Sequence, residues 1–86
     1  MDSVTAVTTA LTAAPAAEQQ AFLENYIAVR LDDGEITQNQ LDDPAQWATL
    51  APDLIEIWAE NTREALTAGV DYVEEEIAIA LAGLTS

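Results

Sequence analysis

Asp42-Asp43 and Glu74-Glu75-Glu76 come closest, by residue type, to a proton-transfer or cation-binding group in this chain. Their spacing suits neither task. Successive residues on a helix point about 100° apart, so three adjacent glutamates do not converge on one ion without a second element facing them. The chain has no His, no Cys and no Lys, which removes the usual proton shuttles and activated nucleophiles. What remains is carboxylates, Tyr26, Tyr72, Ser3, Ser86 and the Thr hydroxyls. The expectation is a protein that is not an enzyme, with no cofactor and no metal site.

Asp33-Gly34-Glu35-Ile36-Thr37 resembles the second half of an EF-hand calcium loop, where an Asp precedes the turn Gly, an Ile follows it and a helix then begins. On that alignment the first and third ligand positions fall on Val29 and Leu31, and Gln40 stands where the bidentate acid belongs. The same residues serve a helix-turn-helix connection in which Gly34 makes the turn and Ile36 staples the next helix. Met1-Asp2-Ser3-Val4 is similar to the Asp-Ser-Leu signature of acyl carrier proteins, in which the Ser carries phosphopantetheine at a helix start. No helix and loop precede Ser3 as they do in a carrier, and an N-cap accounts for the residue.

Charge is the strongest signal. Sixteen Asp and Glu face only Arg30 and Arg63, a formal net charge of -14 on 86 residues, where small soluble domains carry a magnitude of about 2 to 8. This bears on solvent and partners, not on fold. It excludes direct nucleic-acid binding, which needs a basic surface. Adaptation to concentrated salt and imitation of a nucleic-acid backbone both explain such acidity. The acids run from Asp2 to Glu76 without clustering, which suits salt adaptation better. The N-terminus lacks signal-peptide character, and the longest apolar run, Ile77 to Ala82, is too short to span a bilayer. A cytoplasmic location, or assembly into a virion, is expected.

The chain carrying these groups reads as all-α: one domain, residues 1–86, forming a small bundle of four to six helices with a long C-terminal helix. Asp2 or Ser3 caps a first helix to about Ala13, with Val4, Val7 and Leu11 on one stripe. Pro15 opens a second that buries Phe22, Leu23, Tyr26, Ile27 and Leu31 and stops at Asp32-Asp33-Gly34. Thr37 and Gln40 form a capping box, and Asp43-Pro44 starts a short helix carrying Trp47 and Leu50. Ala51-Pro52-Asp53 opens the next. From there Ile55, Thr62, Leu66, Val70, Val73, Ile77, Ala80, Leu81 and Leu84 make one stripe, favouring a single helix from Asp53 to about Ala82. Gly69, followed by Asp71 and Glu74, leaves two helices as the alternative.

Few large side chains are present, so the core is thin, and part of the apolar set is expected to dock on another protein or on further copies of the chain. The candidate contacts are Trp47, Trp58, Tyr72, Ile77, Leu81, Leu84, Arg30 and Arg63, with Trp47 the preferred exposed one. Together these features lead to a non-enzymatic, acidic helical subunit or adaptor of a larger assembly. A virion component such as a head or head-tail connector protein of a halophilic system would suit the size. The alternative is an inhibitor of immunity or nucleic-acid-mimic type that docks on a basic protein.

Overall fold

Six α-helices make up the computed structural model, which describes residues 3–85: α1 (Ser3–Ala13), α2 (Ala16–Phe22), α3 (Glu24–Asp33), α4 (Gln38–Asp42), α5 (Pro44–Thr67) and α6 (Asp71–Thr85). There is no strand among the described residues. The protein is all-α, as its periodicities predict. Val4, Val7 and Leu11, at three- and four-residue steps, are buried along α1, which lies against both α5 and α6. A cap on α1 from Asp2 lies outside the described residues; Ser3 is already helical.

The second expected helix is bent. Pro15 is extended (φ -61°, ψ 154°) and occupies the cap position, and Leu23 (φ -93°, ψ 13°) separates α2 from α3. The hydrogen-bond ladder continues through Leu23, whose N–H donates to the Gln19 carbonyl and whose carbonyl accepts from Ile27, both at 3.0 Å. Leu23 and Ile27 are buried, while Phe22, Tyr26 and Leu31 are half-buried. Gly34 then ends α3 at φ 77°, with its N–H on the Leu31 carbonyl (3.2 Å) and the Glu35 N–H on that of Arg30 (2.9 Å). This pair of bonds is a Schellman motif, which needs the left-handed conformation that Gly adopts without strain.

Two expectations about the second half are corrected. The segments opened by Pro44 and by Pro52 are one helix, α5, with Pro52 inside it. A mid-helix proline removes a backbone bond and costs about 3 kcal/mol. Here Ala48, whose carbonyl loses its donor, and Pro52 are both exposed, so that carbonyl lies on the solvent side, while Trp47, Ala51, Leu54, Ile55 and Ala59 bury one continuous face. Packing of that face overrides the local break. Conversely, the helix expected from Asp53 to Ala82 is interrupted. Gly69 (φ 79°) closes a second Schellman motif, its N–H on the Leu66 carbonyl (3.1 Å) and the Val70 N–H on that of Ala65 (3.2 Å). Val70 and Ala65 both pack on the core beside it, the apolar contact that accompanies this cap. The chain restarts at Asp71, with Asp71 and Glu74 in the favourable first turn.

The caps of α4 and α5 are as read from the sequence. Gln40 Oε1 accepts from the Thr37 N–H at 2.8 Å, and Ile36 and Leu41 pack on the same core. Asp43 caps α5, accepting from the Gln46 side-chain amide (3.2 Å) and from the Ala45 N–H (2.9 Å); these donors, the amide first, hold its carboxyl below the ordinary Asp value. A group with a lowered folded pKa stabilises above its unfolded pKa and loses that effect as pH falls through the folded one. Asp43→Asn, which keeps a neutral cap, is therefore expected to melt below the parent at neutral pH. The gap should close as the pH falls below the ordinary Asp range, a difference measurable by thermal denaturation across pH.

The Cα envelope measures 36 × 28 × 16 Å, so the fold is a slab about two helix layers thick. Its core falls into two clusters. One gathers Leu11, Leu23, Ile27, Ile36, Trp47, Ala51, Leu54 and Ile55; the other gathers Val4, Val7, Ala59, Val73 and Ile77. Phe22, Trp58 and Leu84 pack against both and join them.

Candidate functional site

The thin core leaves one face of the slab incompletely closed. α5 forms the floor of a furrow, with the α2–α3 segment on one side and α6 on the other. Phe22, Asn25 and Tyr26 line the first wall, Trp58, Asn61, Thr62 and Ala65 the floor, and Tyr72, Glu76 and Ala80 the second wall, around a space of about 410 Å³. Asn25, Tyr26 and Asn61 also border a second hollow of about 350 Å³, which reaches Val29, Arg30 and Ile57. The shared residues make one furrow of the two.

Aromatic rings define its chemistry. Phe22 and Trp58 meet edge-to-face, centroids 5.2 Å apart at 72°, a preferred geometry for such a pair. The Tyr26 hydroxyl accepts a long bond (3.4 Å) from Asn61 Nδ2. Arg30 closes one end: its guanidinium donates to the Tyr26 carbonyl (3.0 Å), lies 5.9 Å from the Tyr26 ring centre and approaches Glu35 at 4.0 Å. Three large apolar residues stand out in solvent, Val29 at 57%, Tyr72 at 62% and Ile79 at 66% exposure. Val29 borders the furrow, and Tyr72 and Ile79, seven residues apart, share one face of α6.

The candidate contact residues separate on this geometry. Tyr72 is exposed, and Trp58 is half-buried in the furrow floor. Leu81 and Leu84 are half-buried against the core, and Ile77, at 3% exposure, belongs to it. Arg30 borders the furrow, whereas Arg63 lies elsewhere, with Nη2 donating to Thr5 Oγ1 at 2.9 Å and so tying α5 to α1. The expectation that Trp47 is exposed is corrected. It is 2% exposed, with its indole N–H donating to Gln19 Oε1 at 2.8 Å. Gln19 Nε2 in turn donates to the Leu11 carbonyl at 2.8 Å, satisfying an end of α1. This buried amide let the ring enter the core without an orphaned donor.

All described carboxylates are exposed. No group of three or more acids among the described residues is placed to hold a metal ion. The EF-hand-like segment is the Gly34 turn, its neighbours Asp32, Asp33 and Glu35 all facing solvent. α1 carries no acid, whereas acids lie on each helix from α2 to α6. No described helix is long and apolar enough to cross a membrane. Compared with known proteins, the chain matches no family model, no curated protein and no solved structure.

Sequence reasoning missed Val29, Asn25, Asn61 and Ile79. Tyr72 and Ile79 carried a signal, since a spacing of seven on an otherwise acidic helix face sets two apolar groups together. The others join the furrow only through the placement of α3 beside α5.

Proposed function

We propose that the protein is a non-enzymatic, acidic helical subunit or adaptor that docks on another protein through the α3–α5–α6 furrow. The observation that carries this reading is the aromatic and aliphatic lining left open on one face of a protein whose described carboxylates are all exposed. Tyr and Trp lead among the residues that anchor interfaces, and here Tyr26, Trp58 and Tyr72 line one space. The carboxylates, dispersed over five helices and not gathered in one row, support a role in solvation more than imitation of a phosphate backbone. An assembly of a salt-adapted system, such as a virion head or its connector, is the setting proposed for it.

A photoreactive phenylalanine analogue placed at Tyr72 tests the reading, with one at Thr9, on the exposed side of acid-free α1, as the control. In the cells that express the protein, the Tyr72 position is expected to give discrete cross-linked species and the Thr9 position none. Cross-links equal at both positions, or absent from both, would sink the docking face.

A further inference from the structure

We infer that the occupant of the furrow is a basic amphipathic helix of a partner protein; the inference rests on the docking reading above and names the chemistry of that partner. Shape comes first. A trough floored by one helix and walled by two others matches the way an amphipathic helix lays its apolar face into a groove, with anchors at three- and four-residue steps. The lining supplies what such anchors need: Trp58 and Ala65 on the floor, Phe22 and Tyr26 on one wall, with Tyr72 and Val29 at the edges.

Charge sets the sign of the flanks. Helical spacing puts exposed acids beside each part of the lining. Asp32 and Asp33 follow Val29 by three and four residues on α3, Glu60 and Glu64 follow Ile57 and Asn61 by three on α5, and Glu75 and Glu76 follow Tyr72 by three and four on α6. The one cation at the furrow, Arg30, is already engaged by the Tyr26 carbonyl and Glu35. A second copy of the chain would bring a further net charge of -14 into the complex, whereas Lys and Arg flanking an apolar stripe would meet acids on both walls and beside the floor. These rim charges are solvent-exposed, so salt screens their pairing and the affinity for the basic helix should fall as ionic strength rises, the apolar contacts remaining.

The test uses the intact protein labelled with ¹⁵N and a synthetic amphipathic peptide with Leu at helical anchor positions and Lys on both flanks. Its controls carry Glu in place of Lys, or the same residues in scrambled order. Expected are amide shift changes confined to the furrow, around Tyr26, Asn61 and Tyr72, from the Lys peptide alone. Tyr72→Ser, at an exposed site that leaves the fold intact, and Ala80→Tyr, which fills the trough, should each weaken binding at least tenfold. Shift changes spread over the acidic surface, equal for the scrambled peptide and indifferent to both variants, would overturn the inference, since they report attraction without a site. Occupation of the furrow by the Glu peptide, or by a second copy of the chain, overturns the basic helix and leaves the docking face standing. A furrow that nothing enters, with Tyr72 giving no cross-links, overturns both.

Discussion

Trp47→Ala is expected to lower stability by about 3–5 kcal/mol, the range for truncating a buried aromatic side chain. A domain of this length has only about 4–13 kcal/mol in total, and at low ionic strength self-repulsion takes part of that, so the variant should be largely unfolded there. The loss has two sources. Trp47 fills the larger core cluster between α1, α3 and α5, and its indole N–H completes the hydrogen-bonding of Gln19. The sources separate in a double-mutant cycle. Gln19→Leu keeps the volume but leaves the Trp47 N–H and the Leu11 carbonyl short of a partner, a loss of about 2 kcal/mol. In a Trp47→Phe background the same change has no indole donor to orphan, so it should cost about 1 kcal/mol less. Thermal denaturation followed by circular dichroism reads this directly, because each kcal/mol moves the midpoint of so small a domain by about 4–8 °C. Equal effects of Gln19→Leu in both backgrounds would mean that the Gln19–Trp47 bond contributes nothing and that Trp47 acts by volume alone.

The same pair marks how far the sequence can be read. Several local features were legible: the stripe of α1, the left-handed Gly34, the Thr37–Gln40 box and the Asp43 cap each depend on residues within one or two turns. Trp47 reads as part of a short helix with Leu50, apart from the Leu54 and Ile55 face that follows Pro52, and its burial depends also on Gln19, 28 residues earlier in the chain. No periodicity reports that distance. Pro52 misled for a related reason, since it is a strong local stop signal overruled by burial on the opposite side of the helix. Gly69 worked the other way, because the apolar stripe runs through it in projection although its backbone turns left-handed. The furrow was least legible. Phe22 and Tyr26 read as core residues and Trp58 as a candidate contact, and only the placement of α2 and α3 beside α5 and α6 leaves the edges of all three rings on one open furrow.

Raising sodium chloride from about 0.1 to 1 M should raise the thermal midpoint by about 10 °C. Two unit charges about 20 Å apart in water repel by ~0.2 kcal/mol before screening, and separations of that order follow from an envelope of 36 × 28 × 16 Å. The net charge of -14 makes roughly 90 such pairs, and screening over a Debye length of about 10 Å leaves roughly 2 kcal/mol of self-repulsion at 0.1 M. At 1 M the Debye length is about 3 Å and almost none survives. The unfolded chain spreads its charges further apart, so the relief accrues to the folded state. Salt also strengthens apolar burial, and a charge variant distinguishes the two. Replacing Glu74, Glu75 and Glu76 together by Gln should raise the low-salt midpoint and shrink the salt response by roughly 40%. An unchanged response in that variant would assign the effect to apolar burial and remove self-repulsion as the limit on stability. If the response does shrink, the basic helix proposed for the furrow should act as salt does. By neutralising acids along both walls, it should raise the midpoint most in dilute buffer, where the unpaired carboxylates repel one another most strongly.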